Sequence, residues 1–245
     1  MRIVLAACAA LASGAAPEAG DLLHRVAEKY RAADAYTVEV RIRTEQGEPG
    51  VVSVGGERAK LAAAPGRRYR LERGFLRIVS DGRDVWSHRV DLRQYTVEPA
   101  VSAAAGNDAF RSAEQTFLRR FAALATASVE THFMHERMVK TRAGIRRVFV
   151  LQVRPRAPEP RIWTEELWID VERDIVLRSV LRDVSPHVSL PPRTRTTIFE
   201  RVELTSPDAL EFRPNLPRTA RRVEYFRERT FAHDTDSHPW YKQGP

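Results

Sequence analysis

The run Leu76-Arg77-Ile78-Val79-Ser80-Asp81-Gly82-Arg83-Asp84-Val85-Trp86 decides the fold. It is answered later by Glu165-Glu166-Leu167-Trp168-Ile169-Asp170 and Ile175-Val176-Leu177-Arg178-Ser179. Both are β-branched and aromatic runs broken by turn chemistry. Asp81-Gly82 is a strong hairpin signal, because glycine takes the positive φ that tight hairpin turns require. The residues Asp170 to Asp174 separate the later pair in the same way, as a second hairpin.

Outward from these two hairpins the pattern is mostly strand. Tyr36 to Arg43 alternates apolar and polar residues with period two, the mark of a half-buried strand. Val51 to Leu61 reads as a second strand, bent at Gly55-Gly56. Arg68 to Glu72, Leu76 to Ser80, Val85 to His88 and Tyr95 to Glu98 complete a first meander. Met134 to Thr141, Arg146 to Arg154, Trp163 to Asp170, Ile175 to Asp183 and Thr194 to Leu204 form a second, with Gly144 at a hairpin. Two segments have helical periodicity instead. Asp21 to Ala33 carries Leu22, Leu23, Val26, Ala27 and Tyr30 on one face, with Asp21 as cap or first-turn acid. Asn107 to Ala127 carries Phe110, Ala113, Phe117, Phe121 and Leu124 on one stripe, with Arg111, Glu114, Arg119 and Arg120 pointing away. Loops are expected at Arg154 to Pro160 and Ser185 to Pro192. After Pro217 the chain is polar and basic, with one short strand at Val223 to Arg229.

About ten antiparallel strands with one apolar face each must curl or pair to bury that face. The expected class is α+β: an unclosed antiparallel half-barrel covered by the N-terminal helix and the central helix. Large inward side chains in such a half-barrel leave lipid-sized space unless the helices fill it. By periodicity alone, the stripe of Phe110, Phe117 and Phe121 is an ordinary packing face, with a lid over a ligand as the alternative.

At 43% hydrophobic and 29% charged over 245 residues, the composition is that of a globular domain, not of a disordered chain. The formal charge of +8 favours anionic partners. The arginines are spread along strands, so a solvated basic face is the reading, and no nucleic-acid motif accompanies them. Residues 1–20 read as an export signal: Arg2, an apolar stretch from Ile3 to Ala12, and Ala10-Leu11-Ala12 as a cleavage site. Cys8, the only cysteine, comes after Leu5-Ala6-Ala7 as in a lipobox, so a lipid-anchored form is the alternative to a soluble periplasmic one. The chain thus divides into three parts: 1–20 signal, 21–217 half-barrel, 218–245 basic tail.

The two hairpins, in this order and with the ending Pro207-Asp208-Ala209-Leu210-Glu211-Phe212-Arg213-Pro214, resemble the periplasmic outer-membrane lipoprotein carriers (LolA-like, of the LolA/LolB/RseB superfamily). The resemblance runs from about Asp21 to Pro217. It implies an apolar interior that takes the acyl chains of lipoproteins or lipids, and a monomer moving them from an inner-membrane transporter to an outer-membrane acceptor. A sensing module of the same fold, signalling envelope stress without transfer, is the alternative. The residues expected to line the lipid site are Val38, Val40, Tyr69, Leu71, Ile78, Trp86 and Trp168 from strands, and Phe117, Phe121 and Leu124 from the lid helix. One position departs from the carriers, which keep an Arg before the Pro of the turn that helps hold the lid: here Ala64 precedes Pro65.

Chemistry finds little support. His132-Phe133-Met134-His135-Glu136 lacks the His-Glu-x-x-His spacing that puts two ligands on one metal, and falls in a strand. His233 to His238 offers at most a weak cation site in the tail. Glu165 and Glu166 are adjacent, so on a strand they face opposite ways. No nucleophile elbow, phosphate loop or dinucleotide fingerprint occurs. The expectation is a binding protein, not an enzyme, with no cofactor, no metal and no nucleic-acid partner.

Overall fold

Two antiparallel meanders join into one open sheet. The computed structural model describes residues 18–48, 51–124, 126–156, 162–184 and 192–227. The first meander is β1 (Tyr36–Glu48), β2 (Val51–Ala64), β3 (Arg68–Arg73), β4 (Leu76–Asp81), β5 (Asp84–Arg89) and β6 (Gln94–Pro99). The second is β7 (Val129–Thr141), β8 (Gly144–Pro155), β9 (Ile162–Asp170), β10 (Ile175–Val184) and β11 (Arg193–Glu203). β1 pairs with β11, and the sheet runs in the order β12-β6-β5-β4-β3-β2-β1-β11-β10-β9-β8-β7, with β12 (Arg221–Arg222) laid parallel on β6. Its two ends do not meet, so the sheet is an unclosed half-barrel.

The two deciding hairpins close by the same device. In the first, Asp81 Oδ1 accepts from the backbone N–H of Arg83 at 2.8 Å and of Asp84 at 2.9 Å. In the second, Asp170 Oδ1 accepts from Glu172 at 3.0 Å and Arg173 at 3.2 Å. Each aspartate imitates a backbone turn with its side chain. Gly82 is required: its φ is +98°, and a Cβ there would stand 2.5 Å from the Gly66 carbonyl oxygen. No register shift accompanies the bend expected at Gly55-Gly56. The β1–β2 ladder runs through both glycines in register, and the irregularity falls at Glu39/Val40, against β11.

Helix α1 (Ala19–Arg31) buries Leu22, Leu23, Val26, Ala27 and Tyr30, with Asp21 in its first turn and Lys29 and Arg31 in its last, as the helix dipole favours. The second helical segment is continuous but not uniform. It comprises α2 (Ala104–Glu114), a π-helical turn (Gln115–Arg119) and α3 (Arg120–Leu124). Both helical segments pack on one face of the sheet. There Tyr36, Val38, Val40, Ile42, Leu61, Leu71, Leu151, Leu167 and Ile169 form one apolar cluster with α1 and with Phe110, Phe117, Leu118 and Phe121.

The other face has its own covering at the β2–β4 end. After β11 the chain turns back over it, and a single 3-10 turn (Ala209–Phe212) places Phe212 on Ala62 and Ala64. Asp208 caps this turn by accepting from Leu210 N at 2.9 Å. Arg70 Nη1 donates to the Glu211 carbonyl at 2.7 Å, and Lys60 pairs with the Glu211 carboxylate at 2.9 Å. The strap ends on the sheet edge at β12. The short strand expected at Val223 to Arg229 thus lies two residues earlier, and part of the tail completes the sheet. The export segment, Cys8, residues 157–161 and 185–191 of the two expected loops, and His233 to His238 lie outside the described residues.

Phe212 is 2% exposed and anchors the strap. Phe212→Ala is expected to lower unfolding stability by about 3 kcal/mol, measured by urea denaturation. An unchanged midpoint would show that the strap is not part of the cooperative fold.

Candidate functional site

The interface between the sheet and the π-bulged helix is the site to which the apolar pattern points. Val38, Val40, Tyr69, Leu71, Ile78, Phe117 and Phe121 are all buried there, and Leu124 packs at its margin. Phe121 meets Tyr30 and Phe199 edge-on at 5.4 and 5.5 Å, and Tyr69 stacks on Phe110 at 4.4 Å. Here the helix is seated on the sheet, its aromatic side chains packed against residues of both meanders.

Trp86 and Trp168 do not belong to this interface. On β5, Val85 and Ser87 take the inward positions, close to Gly106 of α2. Strand alternation then turns Trp86 outward, paired across the sheet with Val79. On β9, Leu167 and Ile169 face the helices, and Trp168 lies on the opposite face between the guanidinium groups of Arg137 and Arg178, each 4.6 Å from its ring. Glu165 and Glu166 separate as expected: Glu166 pairs with Arg182, while Glu165 is 4% exposed beneath the helix.

Polar groups pin the helix along its length. Tyr69 Oη donates to Asn107 Oδ1 at 2.7 Å, and Tyr36 Oη donates to Glu114 Oε1 at 2.8 Å. Arg119 pairs with Glu114 at 3.1 Å, and Arg120 reaches Glu165 and Ser179 on β9 and β10. Glu114, Arg119 and Arg120 therefore do not point to solvent. The π turn explains the two arginines: a turn closed i→i+5 holds one more residue than an α turn and rotates the residues after it. The sequence carried no signal for it beyond charged residues close beside an apolar stripe.

Electrostatics reflect this burial. Desolvation, with a contribution from the nearby Arg195, brings the Arg120 guanidinium down to about 9, still charged at neutral pH. Desolvation raises the Tyr69 phenol to about 12 and moves the Tyr30 and Tyr36 phenols further up, the latter with help from the Glu114 carboxylate. Among the described residues no group of three His, Cys, Asp or Glu side chains could hold a metal ion. His132 faces Glu130 at 3.7 Å on an exposed part of β7.

Position 64 has a role unlike the one its place in the turn implied. Ala64 lies on the face away from the helices, under Phe212. The residues that hold the helix down come from elsewhere: Tyr36, Tyr69 and Glu165 on strands, and Asn107, Glu114 and Arg120 on the helix itself.

Two measurements test the pinning. Glu165→Gln leaves the Arg120 guanidinium without its counter-charge and is expected to cost about 3 kcal/mol of stability; the apolar pair Arg120→Met with Glu165→Leu is expected to lose less than the single change. Denaturation midpoints in the reverse order would overturn the assignment. The raised phenols make the fold lose stability as pH climbs from 10 toward 12, because the unfolded chain releases those protons first. Absorbance at 295 nm is expected to show the three tyrosines ionising only together with unfolding; their independent titration near pH 10 would refute it.

No family model and no curated protein matches the chain. Solved structures do overlap it. MucB aligns at 18% identity and a TM-score of 0.43 over 82% of this chain, which spans 64% of the MucB chain. LprF from Mycobacterium bovis aligns at 10% identity and 0.45 over 84% of this chain and 98% of its own. The LolA superfamily protein NE2245 from Nitrosomonas europaea aligns at 12% and 0.31 over 80% of this chain and 97% of its own.

Proposed function

We propose that the chain is an exported binding protein that takes acyl chains of lipoproteins or lipids between its sheet and the π-bulged helix and carries them between membranes. One observation supports this reading above others. The helix rests on a broad apolar face spanning both meanders, and its middle turn is π-helical, an irregularity that recurs where helices do functional work. Lifting the Ala104–Leu124 segment would exchange its own aromatic side chains for an acyl chain on the same strands. Each methylene buried contributes about 0.8 kcal/mol, so a dozen methylenes offer on the order of 10 kcal/mol against the cost of breaking the pins. Such a transfer needs no catalytic group and no cofactor. The export-like N-terminus favours the periplasm as its compartment, with lipid anchoring through Cys8 as the variant form. Donor and acceptor would be an inner-membrane transporter and an outer-membrane receptor.

Mass spectrometry of material co-purified from a Gram-negative periplasm tests this, native and then solvent-extracted, with wild type beside Phe121→Asp. Circular dichroism confirms that the variant folds, and Phe121→Ala replaces it if it does not. A lipoprotein or diacyl lipid held by wild type and lost in the variant is the expected result. A folded wild type that arrives empty and takes up no fluorescent fatty acid would overturn the reading.

A further inference from the structure

The face of the sheet away from the helices carries a groove of about 1300 Å³, which the acyl-binding reading does not use. Its floor is a set of cross-strand rows. In one, Arg58 of β2, Arg41 of β1, Ile198 of β11 and Arg178 of β10 stand side by side, and the row runs on past the groove to Trp168 of β9. In the next, Gly56, Arg43, Thr196 and Val180 come in the same order, the glycine leaving that part of the floor open. Val180 is 5% exposed, while Val54 and Phe75 at the rim are 57% and 66% exposed. Arginines and apolar side chains therefore share the floor of the groove, and Val54 and Phe75 add apolar surface at its rim.

The charge is in excess and incompletely matched. Five arginines line the groove, at positions 41, 43, 58, 178 and 182, against the carboxylates of Glu45 and Glu57. Arg43 pairs with Glu45 at 2.8 Å and Arg182 with Glu166 at 2.6 Å. Arg41 shares Glu200 with Arg142, at 3.5 and 3.0 Å. Arg58 and Arg178 have no carboxylate within salt-bridge reach among the described residues. Arg178 stacks on Trp168, and its Nε and the Trp168 Nε1 are buried donors without an acceptor. Buried donors ordinarily find acceptors.

We infer that this groove binds an extended acidic peptide segment of a partner protein. The spacing selects a peptide over a single anionic headgroup. Guanidinium groups built to hold one phosphate converge on a point. Here they are spread along the groove, and Arg41 and Arg43 stand two residues apart on one strand, about 7 Å, the spacing of alternate side chains in an extended chain. A peptide with acids at alternate positions meets the arginines with one edge and lays apolar residues on Val180, Ile198 and Phe75 with the other. The surface ion pairs in the groove are weak enough to be exchanged for those of the peptide. The overall charge of +8 steers such a partner to the protein.

Fluorescence anisotropy tests this with the full chain and a labelled peptide of alternating Glu and Val. The controls are a Lys-Val counterpart and vesicles of phosphatidylglycerol. Binding of the acidic peptide is expected, weakening as salt rises. The double variant Arg58→Gln/Arg178→Gln should bind about tenfold more weakly. Arg83→Gln, on the exposed β4–β5 turn, should bind as wild type does. No binding, equal binding by the double variant, or preference for the vesicles over the peptide would each overturn the inference. Uptake of a fluorescent fatty acid, measured in parallel, reads out the acyl site alone, so failure there strikes the carrier reading and leaves this one standing.

Discussion

The structure depends on the ladder between β1 and β11. It is the one place among the described residues where the two meanders hydrogen-bond to each other, and without it each would be a separate sheet with an apolar face open to water. The helices reinforce the same seam. The bulged helix places Phe117 near Arg73 of β3, Phe121 against Phe199 of β11, and Arg120 on Glu165 and Ser179 of β9 and β10. One helix thus touches both halves, and its apolar face is the shared core. A helix that seals a core in this way cannot leave without a substitute for the surface it covered. Under the proposed function, an acyl chain would be that substitute.

The helix is held by position-specific contacts as well as by apolar packing. Apolar packing alone is indifferent to small shifts, whereas Tyr36–Glu114, Tyr69–Asn107 and Arg120–Glu165 each demand one position. Burying such pairs adds little net stability compared with apolar residues of the same size, but it fixes register. The π turn sits between the pins at Asn107 and Glu114 and the one at Arg120, so the two ends of the segment are held independently.

Much of this was legible in the sequence, because period-two alternation and Asp-led turns are local signals. The strands of both meanders, both helices and both hairpins are readable from them. Where the reading failed, the missing information was directional or distant. Trp86 and Trp168 are expected to point inward, but a large aromatic side chain does not itself say which way it points. The hairpin register did: with Ser80 opposite Val85, Ile78 faces Ser87, and Trp86 must lie on the other side. The inward turn of Arg120 needs the π turn, which no residue pattern announced. The role of Ala64 needs Phe212, far along the chain, and no local rule connects them. The pairing of Gly55-Gly56 without a register shift reflects the continuous ladder with β1, which outweighs the looseness of glycine.

The strap that returns over the sheet has a consequence in time. A chain is made from its N-terminus, and β6 is complete long before Arg221 and Arg222 exist to pair with it. Throughout that interval the β6 edge presents free backbone donors and acceptors to any passing strand. The molecule therefore covers this border last, over Gln94 and Tyr95. A chain cut off between β11 and the strap would keep its core largely built and leave the β6 border open as well as that of β7, ready to recruit a second copy.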